Sequence, residues 1–269
     1  MEFGLQVHEL APDQNQRGMT VITGASTGIG RGLAIELARR GEFVALLARR
    51  QNLLEEVAAS ICAAGGRAIV RPCDVTDRAQ VLAAFEELER KRGPIERVIA
   101  NAGGGYKVPS ERLSGADVEA MLAVNLVGAV HCVEAALPGM LARGRGHLVF
   151  MGSLAGEVGL PQAAAYSAAK AAVARLGEGL RVDLQPRGID VTVLMPGFVR
   201  TRDRRKRRPF EMPLARATAR MTDTILDRRP ICRFPWTLVA LLAVAAILPT
   251  RLRDALLRRT GKRAVRSRG

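Results

Sequence analysis

Met19-Thr20-Val21-Ile22-Thr23-Gly24-Ala25-Ser26-Thr27-Gly28-Ile29-Gly30 decides the fold. Met19–Ile22 is short, apolar and rich in β-prone residues, and it predicts a strand. It runs into a turn carrying Gly24, Gly28 and Gly30, and a helical pattern over about 30–40 follows. Strand, glycine turn and helix in that order let a backbone approach a phosphate closely. The helix N-terminus then offers its free N–H groups to the anion. The spacing is GxxxGxG rather than GxGxxG, so its weight comes from its place between the first strand and the first helix.

Outward from this unit the pattern repeats. Strands are expected at 43–48, 68–71, 98–100, 147–151 and 191–194, with helices at about 51–64, 81–92, 115–143 and 163–185. Such alternation predicts an α/β protein with a doubly wound, Rossmann-type parallel sheet covered on both faces. After Pro196 the alternation is read as ending. Residues 200–220 are basic and contain Pro209 and Pro213, and Ile231–Phe234 is a short last strand. Three segments result: a loose arm at 1–17, a dinucleotide-binding catalytic domain at 18–227, and a strand, apolar helix and basic tail at 228–269. The arm carries Glu2, Glu9 and Asp13 and has no apolar stretch of the kind a secretory leader needs.

Charge is distributed unevenly. Residues 1–199 hold 21 Lys/Arg against 21 Asp/Glu, whereas residues 200–269 hold 20 against 5, so the whole net charge of +15 lies in the last quarter. A segment of this kind suits an anionic partner: lipid headgroups, nucleic acid, or a phosphate-bearing carrier. Cys62, Cys73, Cys132 and Cys232 form no CxxC and no regular spacing. No disulfide framework or metal site is expected, and reduced thiols in the cytoplasm are the default.

Two further groups carry chemistry. The second strand ends Ala48-Arg49-Arg50, where dinucleotide folds that select NAD place an acid on the ribose 2′-hydroxyl. Two arginines suit a 2′-phosphate instead, so NADP(H) is preferred, with NAD(H) the alternative. Tyr166 and Lys170 lie four apart in an alanine-rich helical stretch and share a face. An ammonium beside a phenol is expected to lower the phenol's pKa and let Tyr166 exchange a proton with an alcohol. Ser153 follows the fifth strand, at the end of the sheet where such folds bind ligands.

In these residues the chain resembles the short-chain dehydrogenase/reductase family over about residues 19–201. The ordered matches are Thr23–Gly30, Asp74-Val75, Asn101-Ala102-Gly103, Asn125, Ser153, Tyr166-Ser167-Ala168-Ala169-Lys170, and Pro196-Gly197 with Thr201. The resemblance implies hydride transfer between a carbonyl and an alcohol, with Asn125, Ser153, Tyr166 and Lys170 catalytic. It implies that Gly24, Ser26, Thr27, Gly28, Ile29 and Gly30 hold the cofactor with Arg49 and Arg50. Asp74 and Val75 would border the adenine, Asn101, Ala102 and Gly103 the cofactor's flank. Asn125 would support a relay water near Lys170, and Lys170 the nicotinamide ribose. Pro196, Gly197 and Thr201 would position the carboxamide. Thr27 departs from the basic residue of many NADP-preferring relatives. A homo-oligomer is expected, although the usual glycine-rich last strand is missing.

Phe234–Pro249 is a sixteen-residue block without charge, preceded by Arg228, Arg229 and Arg233 and followed by Arg251, Arg253, Arg258 and Arg259. A helix of that length spans roughly 20 Å, short of a hydrocarbon core about 30 Å thick. It is expected to lie on an anionic membrane surface, at the inner face of the cytoplasmic membrane, or to fold back as a lid or subunit contact. Either way the substrate is a hydrophobic small molecule or acyl compound, such as a 3-oxoacyl ketone. Residues 202–208 would form a basic substrate loop. The alternatives are an NAD-dependent alcohol or steroid-type dehydrogenase and, in a different class, a non-catalytic nucleic-acid-binding or scaffold protein. The tail has too few aromatics and no reading motif for nucleic acid.

Overall fold

The computed structural model describes residues 18–201, 209–255, 257 and 258. The expected arm, the basic loop at 202–208 and the last part of the tail lie outside these residues.

The strands are β1 (Met19–Thr23), β2 (Phe43–Ala48), β3 (Arg67–Pro72), β4 (Ile95–Ala100), β5 (Gly146–Met151), β6 (Ile189–Pro196), the short pair β7 (Val199–Arg200) and β8 (Met212–Pro213), and β9 (Ile231–Phe234). Seven of them form one parallel sheet in the order β3-β2-β1-β4-β5-β6-β9. The helices are α1 (Gly28–Arg39), α2 (Gln51–Ala63), α3 (Arg78–Arg92), α4 (Gly115–Leu122), α5 (Gly128–Arg143), α6 (Ala164–Leu184), α7 (Leu214–Leu226) and α8 (Trp236–Ile247).

Strand residues alternate between two cores, as the period of two in an extended chain requires. Val21, Leu47, Val98 and Phe150 face α3, α5 and α6. Ile22, Leu46, Ile99 and Val149 face α1, α2 and α7. Both faces are dry, so the strands read as unbroken apolar runs. The sequence expectation that alternation ends after Pro196 is corrected here. β6, α7 and β9 continue it, and β9 pairs with β6 from Val193↔Ile231 to Pro196↔Phe234. α7 buries Ala217, Met221 and Ile225 at four-residue spacing and points its arginines elsewhere. The stretch 115–143, long and apolar enough to cross a membrane by composition, is here α4, a π-helical turn at Ala123–Val127, and α5, packed on the sheet.

At the amino ends of the strands, a polar ladder crosses the α1/α2/α7 face. Arg97 Nη1 donates to Glu42 Oε2 at 2.7 Å and to Thr20 Oγ1 at 3.1 Å, and Arg97 Nε donates to His147 Nδ1 at 3.1 Å. The opposite ring nitrogen lies 2.8 Å from Thr192 Oγ1, which donates to Arg229 O at 2.7 Å. With Nδ1 accepting, Nε2 carries the proton, and His147 is held neutral. Burial, then the Arg97 charge, hold its pKa well below the ordinary imidazole value of 6.5. The unfolded chain therefore takes up a proton that the folded chain refuses. The stabilisation is fully present above about pH 6.5 and is lost as pH falls below it, by up to about 1.4 kcal/mol per pH unit. Urea midpoints at pH 7.5, 6.5 and 5.5 should fall accordingly, and His147→Gln should remove most of that slope.

Candidate active site

The site lies along the carboxyl ends of the strands. It is centred between β1 and β4, where the sheet order reverses and a crevice opens. Between β1 and α1, Gly24 takes a φ of +65°, a left-handed conformation that side chains disfavour. A Cβ on Gly30 would lie 2.3 Å from Gly24 O and 2.5 Å from Asn101 Nδ2, so nothing larger than hydrogen fits. Asn101 Nδ2 donates to Thr23 O at 2.9 Å. Thr23 Oγ1 accepts the N–H groups of Asn101 and Ala102 at 3.1 and 3.0 Å. These bonds fasten the loop after β4 to the glycine turn. Ile29 anchors the start of α1 in the core.

α1 begins without a side-chain cap on Thr27 and without an acid in its first turn. Its first N–H groups and the positive end of its dipole are left for an anion. The cradle thus fits a pyrophosphate. Around its rim, Arg50 Nη2 reaches Ser26 Oγ and Thr27 Oγ1, both at 3.4 Å. Arg49 faces Asp74 across 3.8 Å. Asp74 is oriented by Thr76, whose N–H and hydroxyl donate to Oδ1 at 3.0 and 2.8 Å. Val75 packs beneath Gly128 of α5. Thr201 returns to the turn, its methyl 3.5 Å from where a Cβ on Gly28 would stand.

Beyond the crevice, α6 carries Tyr166 and Lys170. Lys170 is buried, and its Nζ donates to Met151 O at 2.7 Å, at the end of β5. It stands 5.9 Å from the centre of the Tyr166 ring. Desolvation pulls the Lys170 pKa down to about 8. Ser153 Oγ donates to Pro196 O at 3.3 Å and accepts the Ala155 N–H at 3.1 Å. Burial raises the Tyr166 pKa above 10, and a hydrogen bond with Ser153 acts against that rise. This corrects the expectation that Lys170 lowers it. The ammonium is itself desolvated and is drawn to the Met151 carbonyl, so burial of the phenol dominates. Tyr166 therefore stands as a phenol at neutral pH, suited to donating a proton.

Asn125 lies in the π-helical turn. Its Oδ1 accepts the Gly104 N–H at 3.2 Å, and its Nδ2 donates to Gly104 O and Met121 O, each at 2.9 Å. The glycine run passes between this amide and α6. A Cβ on Gly103 would lie 2.4 Å from Asn125 Oδ1 and 3.4 Å from Lys170 Nζ, and one on Gly105 would lie 2.5 Å from Tyr166 Cδ2. Gly104 and Gly105 were not singled out from the sequence, although three consecutive glycines after a strand were the available signal. At the far wall, Gly197 N–H donates to Phe234 O at 2.8 Å, and a Cβ on Gly197 would stand 3.0 Å from Leu238 Cδ2. Leu238, Val239 and Leu242 of α8 pack on Leu154, Ala174, Val193 and Met195. An apolar helix thus packs beside the site next to Ser153, and a fold-back of this kind was one of the placements expected for Phe234–Pro249.

A phosphate cradle at the sheet crevice, with serine, phenol and ammonium beside it, defines an oxidoreductase that uses a nicotinamide dinucleotide. The comparisons agree. The short chain dehydrogenase family profile matches residues 19–211. An uncharacterized oxidoreductase of Myxococcus xanthus is 39% identical over 242 residues, covering 89% of this chain and 96% of that protein. The ketoacyl reductase HetN of a Nostoc strain is 32% identical over 249 residues, covering 87% and 86%. Among solved structures, a short-chain dehydrogenase/reductase of Burkholderia phymatum in complex with NAD superposes with a TM-score of 0.77 at 25% identity, covering 85% of this chain and 92% of that one. This chain belongs to the short-chain dehydrogenase/reductase family.

Proposed function

We propose that this protein reduces a hydrophobic ketone, of the 3-oxoacyl or a similar lipid-like class, to a secondary alcohol with NADPH. The observation that carries the reading is the pair of arginines after β2. Arg50 lies against Ser26 and Thr27 and Arg49 lies opposite Asp74, so two cationic groups stand at the rim of the phosphate cradle, which supports a 2′-phosphate over a free 2′-hydroxyl. Arg50 also places a positive group beside Thr27, the position that lacks one of its own. The bound cofactor supplies the hydride. Tyr166 donates the proton to the carbonyl oxygen, Ser153 holds that oxygen, and Lys170 fixes the end of β5 while lending positive charge. The α8 side chains beside Gly197 and Leu154 favour an apolar substrate body. That HetN is named a ketoacyl reductase is in keeping with this class. Four free cysteines suit the reducing cytoplasm.

The test is NADPH oxidation against 3-oxoacyl thioesters and simple ketones of rising chain length. Rates that rise with chain length are expected, and equal rates throughout would refute the apolar-substrate reading. Arg49→Asp and Arg50→Asp should each lower the ratio of kcat/KM for NADPH to that for NADH. The expected drop is about tenfold or more, the worth of one charge-assisted contact to a phosphate. An unchanged ratio in both variants would favour the NAD-dependent dehydrogenase reading.

A further inference from the structure

α8 has two apolar faces and only one is used. The inner face, Leu238, Val239 and Leu242, is packed beside the site. Across the helix, Trp236, Leu241, Val244 and Ile247 are 75, 52, 56 and 83% exposed. No Asp, Glu, Lys or Arg occurs anywhere between Phe234 and Pro249. A surface helix of a globular protein normally turns charge outward, so a helix apolar all round has a second apolar or interfacial neighbour. The helical backbone resumes at 250, where Leu252 is again exposed and Arg251 and Arg258 are exposed beside it. Residues 250–269 contain eight Lys/Arg and a single acid, Asp254, while residues 1–199 are neutral. Of the net charge of +15, +7 therefore follows the unpartnered apolar face directly, in residues 250–269, and the other +8 lies in residues 200–233.

We infer that the outer face of α8 docks on an anionic phospholipid surface. Trp236, Val244 and Ile247 enter the boundary between headgroups and acyl chains, and Arg251 and Arg258 engage lipid phosphates. The helix is twelve residues long, about 18 Å, so it lies along the membrane instead of crossing it. Charge argues against a second copy of this chain as the neighbour. An isologous dimer through this face would bring two arginine-rich segments into one interface. The inference stands apart from the cofactor and substrate reading, because lipid binding is measured without turnover.

The experiment is flotation of the full-length protein with vesicles of phosphatidylcholine alone and of equimolar phosphatidylcholine and phosphatidylglycerol. Emission of Trp236, the only tryptophan, is recorded in parallel. Binding to the phosphatidylglycerol vesicles with a blue shift of Trp236 is expected, about tenfold or more stronger than to phosphatidylcholine and weakened by salt. Val244→Ser with Ile247→Ser, on the exposed face, should abolish the shift and cut binding about tenfold. Arg251→Glu with Arg258→Glu should cut binding by a similar factor while the protein stays folded. Failure to float with either vesicle overturns the inference. If, in addition, the wild type is an oligomer that the serine variant dissociates, a second copy is the neighbour instead. Flotation without any Trp236 shift, or undiminished in the serine variant, also overturns it, because the charges alone would then be responsible.

Discussion

Tyr166→Phe should lower the rate of carbonyl reduction by two or more orders of magnitude while NADPH binding, followed by fluorescence titration, stays within a few-fold of wild type. The phenol is held above its ordinary pKa by burial, so at neutral pH it carries the proton the product alcohol needs. Its neighbours offer no substitute. Ser153 holds the carbonyl oxygen only by turning its hydroxyl from Pro196 O, and an alkanol is far too weak an acid to give that proton up, while Lys170 Nζ is engaged with Met151 O and buried. A positioned proton donor contributes typically about 10²–10⁴-fold. Two orders correspond to about 2.7 kcal/mol of transition-state stabilisation. Phenylalanine keeps the ring that Gly105 packs against, so the loop is not disturbed. A variant retaining a tenth of the wild-type rate would remove Tyr166 from the role of proton donor.

Arg97→Met should cost about 3–5 kcal/mol of folding free energy at pH 7.5, read as a lower urea midpoint, because it strands a buried carboxylate. Glu42 receives both Arg97 Nη1 and the Thr20 hydroxyl, and the pair's side chains are 6% and 10% exposed. Against a total stability of about 5–15 kcal/mol this is a large fraction. Adding Glu42→Gln to the same chain should restore part of the loss, since the unpaired charge is then gone. The ladder lies at the amino ends of the strands, opposite the site, so kcat of the folded fraction should change little. A single variant as stable as wild type would mean that water reaches Glu42.

Legibility in the sequence followed periodicity. Where a strand buries both faces, as β2 and β5 do, the apolar run announces itself, and the ends of β2 and the place of β9 agree with expectation. α7 escaped because its buried set of Ala217, Met221 and Ile225 is interleaved with Arg216 and Arg220 in a stretch already discounted for its prolines. Pro213 directly precedes that helix, a place where a missing N–H costs nothing, so one of those prolines was a start signal. Candidate residues such as Ser153, Tyr166 and Lys170 could be named because each has an unusual side chain at a fixed point of the fold. What Gly105 and Leu238 do depends on which distant segment arrives beside them, and no local pattern carries that. The direction of the Tyr166 shift is likewise a matter of how much water the finished fold excludes.

The Asn125 side chain behaves as a peptide group lent to a neighbour. Accepting the Gly104 N–H and donating to Gly104 O, it makes the paired bonds that one strand makes with another, from a helix that has an extra residue in its turn to present it. The loop at 103–105 and the turn at 123–127 are therefore one interchangeable part in two pieces of chain. Recombining this protein with a relative at a junction between them would separate the pieces. A chimera should inherit a working loop only when both come from the same parent, or when both parents keep the asparagine and the wide turn.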